Sequence, residues 1–127
     1  MDKQSNSLNW FEIPVTDMAR AKHFYQVAFS IHMEEMNMNG MEYAMFPYEM
    51  GSGKLSGALV KSDISKPSEE GVLIYLNGDP DLDPVLQRME SEHGRVIMGK
   101  TQISPEVGYM AVVIDTEGNR IALHSQH

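Results

Sequence analysis

An α+β fold of two tandem β-α-β-β-β modules, their mixed sheets curled like a barrel around an internal cavity, is what three observations predict. The order strand, helix, three strands reads out twice along the 127 residues. The stretch IPVTDMARAKHFY in the first half is answered by YLNGDPDLDPVLQRM in the second. Ala58-Leu59-Val60 is likewise answered by Ala122-Leu123-His124. An internal repeat of this kind implies pseudo-twofold geometry.

Residues 1–7 are polar and are expected to form a disordered tail. The first module is assigned to 8–64. Its first strand is WFEIPV, in which Phe11, Ile13 and Val15 alternate onto one face. Pro14 cannot donate to a ladder, which puts this strand near an edge or ends it there. Asp17 or Thr16 caps a helix whose apolar stripe is Met18, Ala21, Phe24, Tyr25 and Ala28. Two strands follow, joined at Asn39-Gly40, a strong hairpin signal. PYEMGSGK is a glycine-rich rim loop without the phosphate-binding signature. LSGALVKS is the fourth strand. A linker at 65–70 contains Pro67.

The second module, 71–127, repeats the pattern. VLIYL is a strand. Asp83 is expected to cap the next helix, with Pro84 at its first helical position, Leu82, Leu86 and Met89 on its apolar face and Gly94 as its stop. RVIMGKTQIS and GYMAVVID are strands. DTEGN is a turn leading into RIALHS.

Helices must cover one face of each half-sheet. The covered faces are expected to hold Phe11, Ile13 and Val15, then Val72, Ile74 and Leu76, then Ile121 and Leu123. The open faces then carry Trp10, Glu12, Ala58, Val60, Leu73, Tyr75, Arg120, Ala122 and His124. A cavity lined this way is largely apolar with few polar groups, which suits a small molecule.

Composition narrows the function. A net charge of -8 with no basic run leaves no electrostatic footprint for nucleic acid. No apolar run approaches a membrane span. With no cysteine there is no disulfide, thiolate metal site or cysteine nucleophile. The start of the sequence lacks a hydrophobic signal core, so a cytoplasmic location is expected. Six of the 11 methionines fall between Met33 and Met50, as a deformable wall would.

The stretches FEIPVTDMARAKHFY, GVLIYL with LDPVLQRMESEHGRV, and DTEGNRIAL together resemble the vicinal oxygen chelate superfamily, which includes glyoxalase I, extradiol dioxygenases and bleomycin-resistance proteins. The resemblance runs from about Leu8 to Ser125. It implies paired modules, homodimers and, in catalytic members, a divalent metal held by His, Gln or Glu on the first and last strands of each module. Those positions here are Trp10, Ala58, Leu73 and Ala122. None offers a donor, so no cofactor is expected and the metal site is read as degenerate. The resulting expectation is a protein binding a small hydrophobic or aromatic molecule through Trp10, Ala58, Leu73, Tyr75 and Ala122. The alternative is a lyase or isomerase of the lactoylglutathione-lyase type, with Glu12 and His124 as an acid-base pair or around a displaced divalent metal.

Overall fold

The computed structural model describes residues 1–127. The chain runs β1 (Trp10–Pro14), α1 (Met18–Phe29), β2 (Glu34–Met38), β3 (Met41–Met45), β4 (Ser56–Lys61), β5 (Tyr75–Asn77), α2 (Leu82–Ser91), β6 (Arg95–Ser104), β7 (Gly108–Ile114) and β8 (Arg120–Ser125). It is the expected α+β repeat. Each module makes one mixed sheet, in the orders β1-β4-β3-β2 and β5-β8-β7-β6. In each, the first strand runs parallel to the last, and the other pairs are antiparallel. The helix between the first two strands is the crossover that such an arrangement requires. The two sheets stay separate and do not close into a barrel.

Helix α1 starts where the Asp17 carboxylate accepts from the Arg20 amide at 3.0 Å. It stops at Ser30, whose left-handed backbone (φ 54°) returns its amide to Gln26 and Val27. The predicted stripe of Met18, Ala21, Phe24, Tyr25 and Ala28 is buried. Helix α2 is capped by Asp81, which accepts from the Asp83 amide. The expected cap at Asp83 is therefore two residues late. Asp83 lies inside the first turn, where its charge complements the helix dipole.

One core serves both modules. Ile13, Phe24, Tyr25 and Leu59 from the first half and Leu76, Leu86, Met89 and Leu123 from the second belong to a single buried cluster. The helices meet directly, and Arg88 Nε donates to the Ala28 carbonyl at 2.9 Å. Strand β5 is shorter than the expected 72–76, beginning only at Tyr75. Val72, expected on the covered face, is 91% exposed. The first strand of the second module thus holds its sheet only where Leu76 reaches the core.

The turn 115–119 is the other joint between the modules. Asp115, buried, accepts from the Tyr25 hydroxyl at 2.6 Å and from the Asn119 amide at 2.9 Å. Asn119 Nδ2 donates to the Pro14 carbonyl at 2.8 Å. Burial, then the neighbouring Asp115 carboxylate, pushes the Tyr25 phenol well above its usual pKa. Glu117, whose side chain has no exposed surface, accepts from the Thr16 and Asp17 amides and pairs with Arg20 at 2.7 Å. Burial alone would raise its carboxyl. The Arg20 guanidinium, the two amides and the Thr16 hydroxyl outweigh that and hold it at about 2.

A pH prediction follows from the sign of this shift. A carboxyl depressed on folding contributes stability above its unfolded pKa, and that contribution is lost as pH falls through the folded value. Arg20 is half exposed, so screening reduces the contribution to about 2 kcal/mol. Urea midpoints are expected to fall between pH 4.5 and pH 2, more steeply in the wild type than in Glu117→Gln.

Candidate functional site

The site is built on the faces of the two sheets that the helices leave open. Directly opposed residues in neighbouring strands share a face. In the first sheet, Glu12 lies beside Ala58, Ala58 beside Met45, Tyr43 beside Val60 and beside Met36, and Met41 beside Met38. This places Trp10, Glu12 and Ala58 on a methionine-rich floor. Tyr43, Ala58 and Val60 form a small buried cluster of their own, with Trp10, Met41 and Met45 packed on it. Trp10 also meets Tyr48 edge to face, with ring centroids 6.4 Å apart. The same face runs out to Met36 and Met38, each about half exposed.

In the second sheet, Tyr75 lies beside Ala122, Ala122 beside Val112, and His124 beside Met110. The repeat is therefore exact in register at one point: Glu12 pairs with Ala58 as Tyr75 pairs with Ala122. Trp10 and Leu73 each precede that point by two residues. Trp10 is held by its strand, whereas Leu73 falls in the coil before β5, half-buried. Ala122 is fully buried.

The residues singled out from the sequence are distributed over several places. Glu12 is exposed and accepts from Trp10 Nε1 at 3.3 Å. His124 bonds through Nε2 to the Val107 carbonyl at 2.6 Å. These two stand on separate sheets, each engaged elsewhere, and share no hydrogen bond. Trp10 and Glu12 line a cleft of about 350 Å³ where the free edge of β1 faces residues 66–74 and the start of β8. Tyr75 instead borders a second hollow, of about 360 Å³, with Phe11, Phe29, Ile31 and Phe46. In that hollow the Phe11 and Phe46 rings lie 5.4 Å apart.

A family-type divalent metal does not fit the side chains present. Trp10, Ala58, Leu73 and Ala122 carry no donor atom for it. No three His, Asp or Glu side chains come together closely enough to hold an ion. His23, His32, His93 and His127 are all exposed.

Two groups escaped the sequence reading. The four methionines Met36, Met38, Met41 and Met45 were legible as a wall, but their common face with Trp10 depends on the β2-β3 register. Arg120 was legible as an open-face residue at the start of β8, but its place in the cleft depends on how the linker folds back. The Arg120 amide donates to the Ser68 carbonyl at 3.3 Å, drawing the linker against the strand.

No helix is long and apolar enough to cross a membrane. No curated protein matches the sequence. Solved structures resemble it in fold. A hypothetical protein from S. aureus is 18% identical, with 94% of each chain covered and a TM-score of 0.66. A glyoxalase/bleomycin resistance protein from Streptomyces sp. CB03234 is 24% identical, covering 94% of this chain and all of that one, with a TM-score of 0.63. A V278E mutant of glyoxalase I from Zea mays is 14% identical with a TM-score of 0.66; 94% of this chain matches 46% of that one. The sequence itself matches the family model of the Glyoxalase/Bleomycin resistance protein/Dioxygenase superfamily over residues 7–123, which is nearly its whole length, and the chain belongs to that superfamily.

Proposed function

We propose that this chain binds a small hydrophobic or aromatic molecule at Trp10, on a superfamily fold whose usual metal site has lost its donors. The observation that carries this reading is Trp10 itself. It stands where the family resemblance implies a metal ligand in catalytic members, packs on the Tyr43-Ala58-Val60 cluster, and lines the cleft along β1. An indole there supplies a flat apolar wall. The methionine floor beside it adapts to ligand shape.

Metal analysis of protein purified without chelators tests the first half of the reading. Much less than one metal ion per chain is expected, and stoichiometric Ni, Zn, Fe or Mn would sink it. Trp10→Ala tests the second half. Affinity for any aromatic compound found to bind is expected to fall by about 10- to 100-fold, because an aromatic contact in a desolvated pocket is worth a few kcal/mol.

The lyase or isomerase reading has less behind it, since Glu12 and His124 are separated and each has another partner. Turnover of a methylglyoxal-glutathione hemithioacetal with added divalent metal, abolished by Glu12→Gln, would restore it.

We also propose a homodimer that brings the open face of one copy against another. Support comes from the exposed apolar side chains of the outer strands, Met36 and Met38 on β2 and Ile97 and Ile103 on β6. Light scattering at micromolar concentration is expected to give the mass of two chains; a monomer would contradict it.

A further inference from the structure

The cleft along β1 contains a cation, Arg120, with no carboxylate within ion-pair distance. Arg20, Lys22, Lys61, Arg95 and Lys100 each reach a carboxylate within ion-pair distance. Arg120 does not, in a chain with 18 acidic residues against 10 basic ones. Its guanidinium donates once, from Nη2 to the Gly71 carbonyl at 3.2 Å. Its Nε is buried with no hydrogen-bond partner. A buried donor left unmade costs free energy, and more so on a charged group. Lys66, exposed and also without an ion-pair partner, lines the same cleft.

Half of the lining is apolar. Leu8, Trp10, Val72 and Ile74 line the cleft, and Val72 stands almost fully exposed at its rim. A volume of about 350 Å³ is enough for a small organic molecule. Glu12 and Glu70 also border it. Lys66 and Arg120 against Glu12 and Glu70 leave the lining neutral overall, so an anion is recognised there by direct contact with the guanidinium and not by net charge. A dianionic phosphate would meet more repulsion than a monoanion.

We propose that the cleft between β1 and residues 66–74 binds a small monocarboxylate with an aromatic or aliphatic body. The carboxylate lies on Arg120, where a guanidinium that lines the cleft and has no carboxylate partner offers charge-assisted donors. The apolar body lies against Trp10 and covers Val72. This inference rests on the small-molecule reading above and adds the charge of the ligand and the residue that recognises it.

Trp10 is the single tryptophan of the chain and lines this cleft, so its emission reports binding there. The experiment titrates the full-length protein with 4-phenylbutyrate and, separately, with its uncharged amide. The acid is expected to bind at least about tenfold more tightly, as a charge-assisted contact implies, and to weaken as salt rises. Arg120→Gln is expected to remove that preference, weakening acid binding by about tenfold or more and amide binding by much less. Lys66→Gln, on an exposed residue, is expected to reduce the preference by about two- to threefold, as a partly screened charge would. If Arg120→Gln fails to fold, Arg120→Lys and the Lys66 variant carry the test, both showing a weakened acid preference. Equal binding of acid and amide overturns the inference and leaves the small-molecule reading standing. The same holds if the acid preference survives undiminished in the Arg120 variants that fold. No change in Trp10 emission or heat with either probe at millimolar concentration overturns both.

Discussion

Asp115→Ala is expected to destabilise the protein by about 3–5 kcal/mol, as loss of a buried charge and its partners does. Asp115 is 4% exposed and is the hub of the joint between the modules. Its carboxylate accepts from the Tyr25 hydroxyl, the Asn119 amide and side chain, and the Glu117 amide. Alanine would leave the phenol of Tyr25 inside the core without its acceptor. It would also loosen Asn119, which holds the Pro14 carbonyl at the end of β1. Urea unfolding measures the loss. Tyr25→Phe, which removes one donor and keeps the ring, is expected to cost roughly 1–3 kcal/mol. Equal stability of the Asp115 variant and the wild type would show that packing alone holds the modules together. Because Asn119 and Arg120 border the cleft, a folded Asp115 variant should also bind cleft ligands more weakly.

Gly57→Val is expected to cost about 3 kcal/mol or more, at the upper end of overpacking effects. A Cβ on Gly57 would stand 2.6 Å from the Phe11 ring and closer still to the Phe11 carbonyl. The ring lies over the glycine, across the β1-β4 pair, where Phe11 is the register partner of Gly57. The carbonyl belongs to the ladder and cannot retreat without breaking it. The side chain would have to swing into the second hollow, toward Phe46 and Tyr75. Thermal melting of Gly57→Ala and Gly57→Val checks this. A graded loss, larger for valine, is expected; a fully stable valine variant would mean that β1 shifts freely against β4. Such a shift would also move Trp10 and Glu12, so ligand affinity is expected to fall with stability.

These effects separate what the amino acids specify locally from what their assembly adds. The α1 stripe of Met18, Ala21, Phe24, Tyr25 and Ala28 was legible because helical period and burial face coincide over three turns. The hairpin at Asn39-Gly40 was legible because both residues adopt positive φ, which Asn and Gly tolerate best. The α2 cap was misplaced because DPDLDP contains three aspartates, Asp79, Asp81 and Asp83. Asp81 takes the role because the Asp83 amide lies within reach of its carboxylate. VLIYL was read as one strand from its composition. Only Tyr75–Asn77 pairs with β8, since Val72 has no core to reach.

For the site, the missing donors at Trp10, Ala58, Leu73 and Ala122 are a property of residue identity and need no coordinates. Proximity is different. Glu12 and His124 suit each other chemically, and the repeat places both on open faces. Two separate sheets put them beside other partners. Conversely, nothing in the order of residues brings Arg120, Lys66 and Trp10 to one cleft. That follows from the linker folding back along β8 and from the 115–119 turn docking on α1.

By itself, then, the sequence determined the repeat, the two helices with their buried stripes and the alternation of the strands. Each of these depends on a residue and its near neighbours. The tertiary structure alone decided the shared core, the gap between the sheets, the methionine floor beside Trp10 and the unpaired charge of Arg120. Those depend on register and docking between segments as much as 100 residues apart, such as Asp17 and Glu117, which hydrogen-bond only once the chain has folded.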